Sequence, residues 1–247
     1  MVKVLQSRKY KHAPIVEAVL DIAVRFEPAI PIIDLQTVYD GQKAYSAASP
    51  LIDHTFKGRL DSGDPSVERT SKVSGFMYLS EKKDQLFHSK STGFTFSRAT
   101  PYTSWEIFSG EAKRLWSIYR RLNPVEITRI GLRYINRIDI PLPMENFEDY
   151  YLNFPKVADG LSQGLSQYLM SLTIPYPATQ STAIINQTLV PPAKDNVAST
   201  LLDIDCFRTE NLSNDDAALW QIFEELKAQE NTIFEACITD KAKELFD

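Results

Sequence analysis

Between residues 127 and 140 the chain reads Ile-Thr-Arg-Ile-Gly-Leu-Arg-Tyr-Ile-Asn-Arg-Ile-Asp-Ile. Successive side chains of a strand point to opposite faces, so such a run has two distinct sides. Ile130, Leu132, Tyr134, Ile138 and Ile140 fall on one side, and Arg129, Arg133 and Arg137 on the other. Neighbouring arginines are four residues apart, roughly 13 Å at the rise of an extended chain. One small anion cannot touch all three.

Read in order, the chain sets a comparable strand near its start. Its even residues are Val16, Ala18, Leu20, Ile22, Val24 and Phe26, with Glu17, Asp21 and Arg25 opposite. Pro28 and Pro31 end it, and the spacing of Ile33, Leu35, Val38 and Tyr39 predicts a helix over 32–47. Strands follow at 51–60, 72–81 and 85–98, with a loop at 61–66 that is expected to protrude. Thr103 and Glu106 have capping-box spacing and open a helix to about Leu122.

After the arginine strand, Pro141 and Pro143 repeat the punctuation, and short helical stretches are expected at 146–151 and 159–165. Three strands at 167–176, 181–190 and 198–208 come next. A final helix then opens on Ser213 and Asp216 with an apolar stripe through Leu219, Ile222, Phe223, Leu226, Ile233, Phe234, Cys237 and Ile238.

Both halves, 1–124 and 125–247, thus read as strand, helical segment, antiparallel strands and long helix. The expected fold is a pseudo-duplicated α+β protein, in which two curved antiparallel sheets carry long helices on one face and the halves pack as one unit. Its element order resembles helix-grip and TATA-binding-protein-like arrangements, an analogy that carries no function. In this topology Glu17 and Asp21 would face Arg133 and Arg137 if the opening strands of the halves pair.

Composition narrows the chemistry. The 247 residues are 43% hydrophobic and 24% charged, as in an ordinary globular protein, and the net charge of −5 disfavours binding nucleic acid through the whole surface. Residues 1–12 carry +4, whereas 208–247 hold ten acids against four bases. That last helix should repel phosphates. Cys206 and Cys237 fall in apolar contexts and read as buried free thiols. The first residues lack an apolar signal core and no window is apolar enough to span a bilayer, so no membrane association and a cytoplasmic location are expected. Three histidines and no Cys-x-x-Cys argue against a metal. No phosphate loop, nucleophile elbow or zinc-protease motif is present, and no cofactor is implied.

Three runs carry a family resemblance: Pro14–Val19 (PIVEAV), Arg129–Ile138 (RIGLRYINRI) and Phe234–Lys241 (FEACITDK). In order and spacing they resemble a sporadically distributed family of prokaryotic proteins of about this length, across nearly the whole chain. The resemblance implies no catalytic residues. Its patchy occurrence implies mobile-element or defence neighbourhoods.

The functional expectation is a non-catalytic binding or interaction protein whose sheet face, bearing Arg129, Arg133 and Arg137, takes an anionic ligand or an unknown protein partner. Nucleic acid is the less favoured ligand, because Tyr134 lies on the opposite face from the arginines while Phe94 and Phe96 would have to share theirs to stack bases. A homodimer is compatible with the sequence. The alternative is an enzyme acting on a phosphorylated or nucleotide substrate through an Arg/Asp/Glu cluster, for which no nucleophile or base is evident. Glu17, Asp21, Asp203 and Asp205 are candidate structural ion-pair partners of the arginines. If every arginine has such a partner, the anion site loses its basis.

Overall fold

The computed structural model describes residues 8, 10–59, 66–124, 126–162 and 164–247. Alternating apolar residues dictate nine strands: β1 (Ile15–Arg25), β2 (Ser49–Arg59), β3 (Ser66–Leu79), β4 (Gln85–Lys90), β5 (Gly93–Ala99), β6 (Glu126–Pro141), β7 (Leu169–Tyr176), β8 (Ser181–Val190) and β9 (Val197–Arg208). They form one antiparallel sheet in the order β2-β3-β4-β5-β1-β6-β9-β8-β7. β1 and β6 pair at its centre, with Leu20 opposite Leu132 and Ile22 opposite Ile130. All four of those side chains are fully buried.

The helices are α1 (Asp34–Thr37), α2 (Trp105–Tyr119), α3 (Asp216–Cys237) and α4 (Asp240–Lys243). α2 lies on β5, where Phe108 stacks on Phe96 at 5.3 Å between centroids. α3 lies on β6 and β9. The two long helices meet through Trp105 Nε1, which donates to Glu224 at 2.7 Å, and Trp116 Nε1, which donates to Asp216 at 3.1 Å. Burying each large apolar side chain between helix and sheet contributes about 1.5–3 kcal/mol. No helix among the described residues is long and apolar enough to cross a membrane.

Several local expectations shift. The helix expected over 32–47 shrinks to α1, because Gly41 takes φ +85° and Tyr39 and Tyr45 turn inward to bond Leu115 O and Glu111 instead. The strand expected at 85–98 is two strands. They turn before Gly93, whose φ is +155° and where a Cβ would stand 2.4 Å from Ile22 O, so no side chain fits. Residues 159–165 form turns rather than a helix where described. Most of the loop expected at 61–66 lies outside the described residues.

The caps also move along the chain. Ser104, not Thr103, accepts from Ile107 N at the start of α2, and Asp215 accepts from Ala218 N at 2.9 Å at the start of α3. Ser213 instead accepts from Asp215 N, which holds the cap in place. Asp215→Ala is therefore expected to lower stability by about 1 kcal/mol, and Ser213→Ala by less, in urea titrations. Equal losses would put the cap at Ser213.

Candidate functional site

On the sheet face away from the helices, each of the three arginines is engaged by a carboxylate. Arg129 donates to Asp21 at 3.1 Å and to Asp205 at 2.9 Å, with its guanidinium 4.6 Å from the Phe207 ring centroid. Arg133 forks onto Asp203 at 2.6 and 2.7 Å. Arg137 donates to Asp139 at 3.2 Å and to Pro191 O at 2.7 Å. Glu17 adds its field to Arg133 without an ion pair among the described residues.

The register explains these choices. Asp21 sits opposite Gly131, and Glu17 opposite Ile135, so neither directly faces Arg133 or Arg137 as expected. Arg25 turns to Glu126 at 2.8 Å rather than to the acids of its own strand. Glu17, Asp21, Asp139, Asp203 and Asp205 thus surround three guanidinium groups, an excess of negative charge that is unfavourable for a phosphate. The stacking residues are equally unavailable. Phe94 and Phe96 are wholly buried on the helix side, and Tyr134 is buried with its hydroxyl 3.2 Å from Tyr102 Oη.

The enzyme alternative finds little here. Burial raises the pKa of Asp205 despite Arg129 beside it, but Asp205 stands on the open sheet face as one arm of an ion pair. No group of three or more His, Cys, Asp or Glu among the described residues could hold a metal. Cys206 and Cys237 are buried and free, with burial raising both pKa values, Cys237 to about 11.

A different cluster lies beneath α3. Glu230 is four residues after Leu226 and three before Ile233, which puts it in the middle of the apolar stripe. It is 1% exposed, and neither carboxyl oxygen meets hydrogen-bond geometry with a donor among the described residues. The backbone and the weakly donating thiol of Cys206 on β9 face it and partly offset its burial, without meeting hydrogen-bond geometry. Burial, aided by the field of Asp205, pushes the Glu230 pKa well above the usual carboxylate range.

Glu230 lines a cavity of about 60 Å³. Its sheet wall is Tyr134 and Asn136 of β6 with Pro14 and Ile15 at the start of β1, and its helix wall continues through Phe234 and Glu235. Asn136 donates to Leu202 O at 3.1 Å, which fixes its amide. The mouth is strapped by Arg8 and Tyr10. Tyr10 Oη donates to Glu235 at 2.6 Å while its ring meets Phe234 and Phe246 edge-on, and His12 N donates to Phe246 O at 3.0 Å. Glu235 also pairs with Lys243 at 3.3 Å, and Arg8 with Asp247.

Glu230 does not stand out in the sequence because the apolar stripe closes without it. The signal was present: an acid at a stripe position, seven residues before Cys237 and eleven after Leu219, has to be buried if the stripe is.

No family model matches the chain, and no curated protein matches it. Among solved structures it is similar to DynU16, a protein of the dynemicin biosynthetic locus, at 10% identity, over 95% of this chain and 100% of that one, with a TM-score of 0.26. At that score the likeness carries no argument about fold or function.

Proposed function

We propose that this is a non-catalytic binding protein that holds a small ligand between α3 and the central strands, on the helix side of the sheet. The observation that carries the reading is Glu230, wholly buried with neither oxygen hydrogen-bonded among the described residues, on the wall of a cavity. A buried polar group without a partner costs free energy that the fold has no structural reason to bear. A ligand that satisfies it supplies the reason.

The repeated element order supports the same reading. Each half is read as a strand, antiparallel strands and a long helix gripping them, in a pseudo-duplicated helix-grip arrangement, with the cavity where the second grip closes on β1 and β6. The three runs behind the family resemblance also meet there: Pro14 and Ile15, Tyr134 and Asn136, and Phe234 and Glu235 all line the cavity. The arginine row serves instead as an ion-paired sheet face: Arg129 joins the halves through Asp21, while Arg133–Asp203 and Arg137–Asp139 tie strands of the second half.

The test is a thermal-shift panel of small amines, alcohols, amides and carboxylates on the full chain and on Glu230→Met. At about ten times Kd one class should raise Tm by about 3 °C and leave the variant unmoved. A panel in which no class distinguishes the two proteins overturns the reading.

A further inference from the structure

We propose that the ligand presents a small organic cation, the ammonium head of a primary amine, to Glu230. This rests on the cavity being a binding site and adds the chemical class of its occupant. Ionised carboxylate oxygens only accept hydrogen bonds, so the group that satisfies both must bring several donors, as an ammonium does with three. Aromatic surfaces complete the enclosure. Tyr10, Tyr134 and Phe234 line the cavity, and ring faces attract a desolvated cation.

Charge points the same way. Glu230 and Glu235 both line the cavity, which disfavours an anion. Among the described residues, the two cations nearby are already committed, Lys243 to Glu235 and Asp240, and Arg8 to Asp247. Glu230 is the carboxylate left over. Size sets the remaining limit. A cavity of about 60 Å³ equals roughly two waters' share of liquid volume, enough for a head group but not for a whole metabolite. The rest of the molecule must leave past the strap at Arg8 and Tyr10.

The occupant exchanges its proton cleanly. If Glu230 is protonated in the empty cavity, a neutral amine takes that proton and leaves a carboxylate–ammonium pair, whereas an ammonium entering from solvent displaces it to water. No oxidant or co-reactant is needed.

The experiment compares n-butylammonium chloride, n-butanol and sodium butyrate at equal concentration and matched ionic strength, reading Tm of the wild type, Glu230→Gln, Glu230→Met and the exposed control Glu210→Gln. Expected is a rise with butylammonium alone, retained in Glu210→Gln and weakened at least tenfold in apparent affinity in both Glu230 variants. Glu230→Gln keeps the shape of the side chain, and Glu230→Met covers the case in which the amide fails to fold. A shift by butanol or butyrate that depends on Glu230 overturns the cation and leaves the binding site standing. A butylammonium shift that survives both Glu230 variants overturns the assignment to this cavity. If none of the three compounds shifts the wild type, the cation assignment fails, and the broader panel decides the site separately.

Discussion

Glu230→Met is expected to stabilise the protein, by about 2–4 kcal/mol at pH 7 in urea or guanidinium titrations. Methionine fills the stripe position between Leu226 and Ile233 with a flexible apolar chain and removes a carboxyl group that no described donor satisfies. Leaving a buried polar group unsatisfied costs about 1–3 kcal/mol. Protonation adds to it. An ordinary glutamate titrates near 4.5, and burial holds Glu230 well above that when folded. Below the ordinary value both folded and unfolded chains carry the proton. As pH rises past it, only the unfolded chain releases the proton, so the folded wild type loses up to about 1.4 kcal/mol per pH unit until its own pKa is reached. The advantage of the variant should therefore grow with pH from about 4.5 upward and level off at the folded pKa. A destabilised variant, or an advantage that shrinks with pH, would mean that Glu230 is ionised and satisfied in the folded protein. A ligand site that costs stability when empty is a familiar compromise.

How much of this could be read in advance differs by level. The strands were legible wherever one face is buried: the alternation of β1, β6, β8 and β9 is a direct print of core against outer face. The turn between β4 and β5 was not, since Ser91-Thr92-Gly93 has no strong hairpin signature and its glycine is required by the approach of Ile22 O on a distant strand. The same division holds for the sites. Arg129, Arg133 and Arg137 were visible as a row, yet their partners depend on register, which local sequence does not specify. Glu230 was hidden for a different reason. A period identifies a buried stripe, but whether an acid on it finds a donor is a property of β6 and β9 nearly a hundred and a few tens of residues away, respectively.

Gly131 should behave oppositely in two backgrounds. A Cβ there would stand 2.3 Å from Arg129 Nη1 and 2.9 Å from Cζ, because the guanidinium lies across the glycine to reach Asp21 on one side and Asp205 on the other. Arg129→Ala alone leaves those two carboxylates on one face without their shared counterion. A buried pair broken this way costs about 3–5 kcal/mol, and the partial exposure of all three groups brings the expected loss to about 2 kcal/mol. Gly131→Ala alone pushes the guanidinium off its seat. The side chain is flexible enough to move, so the cost is the lost ion pairs and the lost contact with Phe207 rather than a backbone clash, about 1 kcal/mol net. With Arg129 already absent the three closest contacts of that Cβ are gone, and alanine in a strand is better than glycine by about 0.5–1 kcal/mol. Gly131→Ala should then stabilise. The four proteins of this cycle, compared by urea titration, are expected to show a coupling of about 1.5–2 kcal/mol with a change of sign. Additive effects would show that the guanidinium does not rest on Gly131, and the ion-paired join between β1, β6 and β9 would have to be withdrawn with it.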